Sequence, residues 1–263
     1  MNKLRISPEA LAKRRFLRRA LGGGSALLVG GCDRLGQNET FSSVLSAGET
    51  LSQGVRDALG ARMTMAQEFS KADLSPSFRG NGNTDPDSAE YKAMAANGFA
   101  DWKLVVDGLV DAPASLSLAE LRAMPSRTQI TRHDCVEGWS AIGQWTGVPL
   151  AQVLERVKPK PSARYVVFHC ADTFNDEDTP TPYYESIDLQ DAYHPQTMLA
   201  YALNDQTLPI TNGAPLRLRV ERQLGYKQAK YVMRLELVTD FAEIGGGKGG
   251  YWEDQGYQWY AGI

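Results

Sequence analysis

Cys135 stands in the run Arg132-His133-Asp134-Cys135-Val136-Glu137-Gly138-Trp139-Ser140, a thiol between a His-Asp pair and a carboxylate two residues later. In an extended backbone successive side chains alternate faces, so Cys135 and Glu137 would point the same way. A thiolate is a soft ligand for a transition metal, and a carboxylate beside it can position a substrate or move a proton. A lone Cys is more often a small buried hydrophobe at a strand end, so the surrounding sequence has to decide. Zinc is a poor competitor: His133, His169 and His194 are the only histidines, and no HxxxH or CxxC spacing occurs. A thiol hydrolase is also weak, because consecutive His, Asp and Cys cannot all face one substrate.

Two further runs are suited to an anion. Asn212-Gly213-Ala214-Pro215-Leu216-Arg217 and Gly225-Tyr226-Lys227-Gln228-Ala229-Lys230 pair glycine turns with cationic side chains. Backbone N–H groups and ammonium or guanidinium heads together suit a phosphate. Taken alone, charged residues flanking strands are usually only solvated.

The elements that must hold these residues are short and mixed. Trp102 to Val110 reads as a strand entering a turn at Asp107-Gly108, and Ser117 to Met124 as a short helix with a Ser117/Glu120 capping box. Arg127 to Asp134 alternates and delivers Cys135; Pro149 to Val157 has apolar residues at helical spacing. Arg164 to Cys170 and Tyr231 to Val238 read as strands, Ser186 to Asp191 as a strand or turn into a helix, and Leu208 to Val220 as turn, then strand. Residues 63–98 and the acidic, Pro/Thr-rich stretch Asp172 to Pro182 read as loops; the latter, with Tyr183 and Tyr184, is a candidate pocket rim or a solvated loop. The tail from Gly245 is rich in Gly, Trp and Tyr. Short strands interleaved with short helices, without βαβ periodicity, argue for an α+β fold with a mixed sheet.

The Cys135 run and the following Trp145-Thr146-Gly147-Val148-Pro149-Leu150 resemble the molybdenum-ligand segment of the sulfite oxidase superfamily, in the branch of periplasmic protein-methionine-sulfoxide reductase. The match continues to about residue 240. The resemblance implies a molybdopterin oxidoreductase with molybdenum held by the pterin dithiolene and Cys135, and with Glu137 positioning substrate or transferring a proton. It makes Phe78, Arg79, Asn81, Cys170, Asn212, Arg217, Gly225, Tyr226, Lys227 and Lys230 candidate contacts to the Mo-molybdopterin cofactor; Cys170 stands where that branch has Thr. It implies reduction of an S-oxide such as methionine sulfoxide, with electrons from a membrane haem or cytochrome partner. A sulfite oxidase is the alternative, weakened because the chain is too short for the C-terminal immunoglobulin-like dimerisation domain, and a monomer is expected. A metal-free lipoprotein scaffold on the same fold is the alternative from another class.

Composition bears on location. The 263 residues are 43% hydrophobic and 22% charged, enough for one sizeable core. Residues 1–31 hold seven Lys/Arg against one acid, leaving the rest at net −9, a poor nucleic-acid binder. The twelve weakly apolar residues Ala20 to Gly31 are too few to span a bilayer and suit a signal peptide. Lys13-Arg14-Arg15-Phe16-Leu17 resembles a twin-arginine signal and Val29-Gly30-Gly31-Cys32 a lipobox, with Asp33 resembling an inner-membrane retention signal. The expectation is a signal peptide over 1–31, a tether over 32–62 lipidated at Cys32, and a periplasmic oxidoreductase domain over 63–263. Lipidation leaves two thiols, and an oxidising compartment would allow a Cys135–Cys170 disulfide closing 36 residues, stabilising by roughly 4 kcal/mol. That bond would abolish metal binding, and the motif around Cys135 favours a free ligand.

Overall fold

Period-two burial makes the first strand: Leu104 and Val106 are buried while Lys103 and Val105 face solvent. A computed structural model describes residues 63–176 and 179–263, with Gly54. The signal peptide, the tether and Cys32 lie outside these described residues, Gly54 apart. In chain order the elements are α1 (Ala89–Ala96), β1 (Lys103–Gly108), β2 (Ala114–Ser117), α2 (Leu118–Ala123), β3 (Arg127–Cys135) and β4 (Trp139–Pro149). They continue with α3 (Leu150–Val157), β5 (Tyr165–Asp176), β6 (Thr179–Asp188), α4 (Leu189–Ala192) and β7 (Met198–Leu203). The last are β8 (Gln206–Thr207), β9 (Arg217–Arg219), β10 (Val232–Val238) and α5 (Tyr251–Asp254).

Among the described residues the strands form two sheets, ordered β2-β1-β10-β5-β6 and β3-β4-β7-β8, with β9 also on β7. Only β1 and β10 run parallel, Val105 opposite Arg234; the other pairs are antiparallel, so the α+β expectation holds. One apolar core links elements of both sheets, joining Leu104, Val106, Val166, Phe168, Leu235 and Leu237 to Val148, Leu199 and Leu218. The helix α3 buries Leu150, Val153, Leu154 and Val157 against it, each contributing about 1.5–3 kcal/mol. A smaller cluster holds Trp145, Met198, Ala200, Leu203 and Leu208, with Phe78 against it. No helix among the described residues is long and apolar enough to cross a membrane.

Two expected loops are ordered otherwise. Residues 63–98 contain α1, capped by Ser88, whose side chain accepts from Tyr91 N–H. Tyr91 is the only buried residue of that helix, so no 3.6-residue period marks it in the sequence. Within the stretch Asp172 to Pro182, the described residues 172–176 and 179–182 belong to the antiparallel strands β5 and β6, with a register shift between His169 and Thr173. Its prolines fit because Pro180 and Pro182 lie on β6, an edge strand that does not need every N–H.

Candidate active site

The antiparallel hairpin of β3 and β4 carries the thiol, with Cys135 directly opposite Trp139. Between them Gly138 adopts φ +83°, and its N–H donates to the Cys135 carbonyl at 3.0 Å. Glu137 therefore sits in the turn, not in an extended strand with Cys135, yet both side chains reach one cavity. Its Oε2 accepts from Trp139 Nε1 at 2.9 Å and from Arg79 at 3.3 Å, and Arg79 lies 4.7 Å above the Trp139 ring. His133 and Asp134 turn elsewhere. His133 is fully buried with Nδ1 3.1 Å from the Arg219 guanidinium, and burial followed by that charge pushes it well below the usual imidazole range. Asp134 accepts from Arg132 and Ser140.

The cavity beside Cys135 has a volume of about 150 Å³. Its polar lining comes from the buried Asp172, Gln228 and Lys230 and the half-buried Asn81, with Gly225 also in the wall. Lys230 Nζ donates to the carbonyls of Asn81 (2.6 Å) and Asn83, while Asn81 Oδ1 and Asp172 Oδ1 are buried without a hydrogen-bond partner. Gly225 is required by space: a Cβ there would stand 2.6 Å from His133 Nε2. Burial, and then Arg217, lowers the Lys230 ammonium to about 8, and burial raises the Asp172 carboxyl to about 7. Burial also pushes the Cys135 thiol up. The apolar lining is Val136, Phe174, Tyr183, Tyr226, Trp252 and Tyr257.

Of the residues singled out from the sequence, Asn81, Cys135, Glu137, Gly225, Tyr226 and Lys230 line this one cavity, and from the candidate rim Asp172, Phe174 and Tyr183 line it while Tyr184 does not. The remaining candidate cofactor contacts stand outside its lining. Phe78 packs edge-on against Trp145, 5.0 Å between rings, and its carbonyl accepts from Asn212 Nδ2. Arg217 is fully buried, donating to the carbonyls of Asn212 (2.9 Å) and Gln228, with its guanidinium 4.9 Å from the Trp145 ring. Lys227 is also fully buried and donates to Glu185 and Glu253. Cys170 lies on β5, its thiol pushed well up by burial and then by Asp172; it and Cys135 are free, with no disulfide between them. Sequence reasoning missed Gln228, Trp252 and Tyr257, and read Asp172 as part of a loop at the pocket rim or in solvent, where the structure puts it on β5 in the cavity lining. The signal was present only as a cluster of aromatic residues in a glycine-rich tail.

A family model for the oxidoreductase molybdopterin binding domain matches residues 91–243. The Azospira oryzae subunit YedZ1, which bears a provisional protein-methionine-sulfoxide reductase name, is 38% identical over 97% of this chain and 89% of its own length. The protein-methionine-sulfoxide reductase catalytic subunits MsrP of Ralstonia nicotianae and Xanthomonas axonopodis are 40% and 38% identical over 52% and 62% of this chain. This chain spans about half of those two relatives, 44% and 52% of their lengths. Among solved structures, the sulfane dehydrogenase SoxCD of Paracoccus pantotrophus aligns with a TM-score of 0.47 and 23% identity, over 53% of this chain and 39% of its own. With more than half its length matched by the family and nearly all of it by one relative, the chain belongs to the molybdopterin-binding oxidoreductases.

Proposed function

We propose that this oxidoreductase uses a molybdenum–molybdopterin cofactor seated in the Cys135 cavity to reduce S-oxides, methionine sulfoxide in proteins foremost. One observation carries the reading: a free, buried thiol shares a cavity with a lysine and two partnerless buried acceptors, Asn81 Oδ1 and Asp172 Oδ1. A pterin ring offers N–H donors to such acceptors, and its phosphate suits an ammonium and a glycine turn, so the residues present fit the group. The names of the matched relatives support the S-oxide.

Asn81, Gly225, Tyr226 and Lys230 would hold the pterin, and Cys135 would supply the thiolate to molybdenum. When bound, the group supplies two-electron oxygen-atom or proton-coupled electron transfer. The chain's own residues set the conditions. Cys135, whose burial favours the neutral thiol, must give up its proton on metal loading. Glu137, held from two sides by Arg79 and Trp139, orients the substrate oxygen or moves a proton at it. Phe78, Asn212 and Arg217 are hydrogen-bonded to one another outside the cavity lining, and Cys170 and Lys227 also lie outside it, Lys227 held by Glu185 and Glu253.

Elemental analysis and an S-oxide assay with an artificial electron donor test this together. Cys135→Ala is expected to lose molybdenum, whereas Glu137→Gln keeps it and slows turnover by about 10²-fold. Full molybdenum content in Cys135→Ala would count directly against the site. Export by the twin-arginine route, lipidation at Cys32 and work as a monomer at the periplasmic face of the inner membrane, fed by a membrane haem or cytochrome partner, belong to the same proposal. The motif at 29–32 and the acidic mature chain support it. Cys32→Ser should move the protein from the membrane to the soluble periplasmic fraction.

A further inference from the structure

The cavity is built in two parts. Asp172, Gln228 and Lys230, all at 6% exposure or less, form a buried polar floor. Apart from the exposed Glu137, the rim is apolar and open to water: Val136 is 46% exposed and Tyr257 43%, with the partly exposed Trp252 beside Tyr257 and Phe174 against Trp252. A molecule arriving from solvent meets Val136, Trp252 and Tyr257 before it meets any buried charge.

The aromatic side of that rim is rigid. Trp252 and Tyr257 are 5.3 Å apart between ring centres, and Tyr257 N–H donates to the Trp252 carbonyl at 2.9 Å. Tyr226 packs edge-on against Tyr257 at 5.3 Å, and its hydroxyl donates to the Gln258 carbonyl at 2.6 Å. Glu253, next to Trp252, accepts from buried Lys227 at 2.5 Å, which ties α5 to the Gly225–Lys227 turn beside the cavity. Exposed rings held this firmly present a preformed apolar face at little ordering cost.

We propose that Trp252 and Tyr257, with Val136 on the same rim, form the specificity wall of the enzyme, seating the CH₃–S(O)–CH₂ end of methionine sulfoxide carried on an unstructured peptide segment. The proposal rests on the S-oxide reading above and names what that reading leaves open. Aromatic faces attract the methyl and methylene hydrogens made positive by the neighbouring sulfoxide, and sulfur itself packs well against rings. The open mouth lets the peptide backbone stay in solvent while one side chain enters. An N-oxide, lacking the sulfur and presenting a bulkier head, gains less from the same wall.

The test uses the full-length, cofactor-loaded enzyme with an artificial electron donor, and compares Trp252→Ala, Tyr257→Ala and the conservative Trp252→Phe. For a flexible peptide bearing methionine sulfoxide, KM is expected to rise about tenfold in each alanine variant, with kcat changed far less and Trp252→Phe restoring most of the loss. Molybdenum content should match the wild type. A second readout needs no turnover: titrating that peptide into the oxidised enzyme should shift tryptophan emission saturably, and Trp252→Phe should abolish the shift. An unchanged KM in enzyme that reduces the peptide overturns the wall and leaves the S-oxide reading standing. Loss of molybdenum in Trp252→Ala also overturns it, by making the ring a cofactor contact. A wild type that is fully loaded yet reduces no S-oxide overturns both.

Discussion

Asp172 puts a carboxyl in the floor of the cavity, facing Lys230 and close in charge terms to Cys170, Tyr91, Tyr183 and Tyr231. Burial raises it from 3.8 to about 7, so the folded protein holds a proton there that the unfolded chain releases. Its contribution to stability is full below pH 3.8 and is lost as pH rises through about 7. Lys230 works in the opposite sense: its ammonium is lowered to about 8, so folding penalises the charge and stability recovers as pH rises above that value. In cofactor-free protein, Asp172→Asn should therefore flatten the fall in stability between pH 4 and 7, by up to about 4 kcal/mol. Denaturant midpoints across that window measure it, and parallel curves for variant and wild type would show that Asp172 is ionised throughout.

At the scale of elements, two local devices are open to simple tests. Ser117 and Glu120 close a capping box at the start of α2, each side chain bonded to the other's backbone N–H. Ser117→Ala should cost about 1 kcal/mol in chemical denaturation and leave catalysis alone, because α2 is remote from the cavity lining. Lys227 is the sharper case. Resemblance makes it a cofactor contact, while the fold gives its ammonium two buried carboxylates, Glu185 and Glu253. Lys227→Met would leave both acids buried and uncompensated, a cost of about 3–5 kcal/mol. Thermal unfolding of the cofactor-free variant reads this out: a large fall in Tm is expected, whereas a residue that only touches cofactor would leave that Tm unchanged.

For the whole molecule, the site is an assembly of distant segments. Asn81 comes from the irregular stretch before α1, Cys135 from the tip of one hairpin, Asp172 from β5 in the other sheet, Lys230 from the approach to β10, and Trp252 and Tyr257 from the tail. Several strands and helices were legible because burial on one face writes a period of two or 3.6 into the chain, as in β1, β10 and α3, whereas β4 and β7, buried on both faces along much of their length, were not read. The helix α1 was not legible, since one buried tyrosine makes no period, nor was the outer pairing of β5 with β6, whose prolines are tolerated only on an edge. The site followed the same division. Cys135, Glu137, Gly225 and Lys230 stood out through type and spacing, but nothing local distinguishes Lys230, which reaches the cavity, from Lys227, which turns to two acids.

What the amino-acid sequence determined by itself is the chemistry on offer: a thiol with a carboxylate two residues on, glycine turns with cations, an acidic body and an apolar periodicity sufficient for an α+β core. Only the tertiary structure decided which of those groups share a cavity, which are spent on one another in the interior, and that an aromatic tail lines the mouth. The physical reason is that residue type and spacing act within a few residues along the chain, while burial, charge pairing and cavity shape arise between segments the chain brings together from far apart.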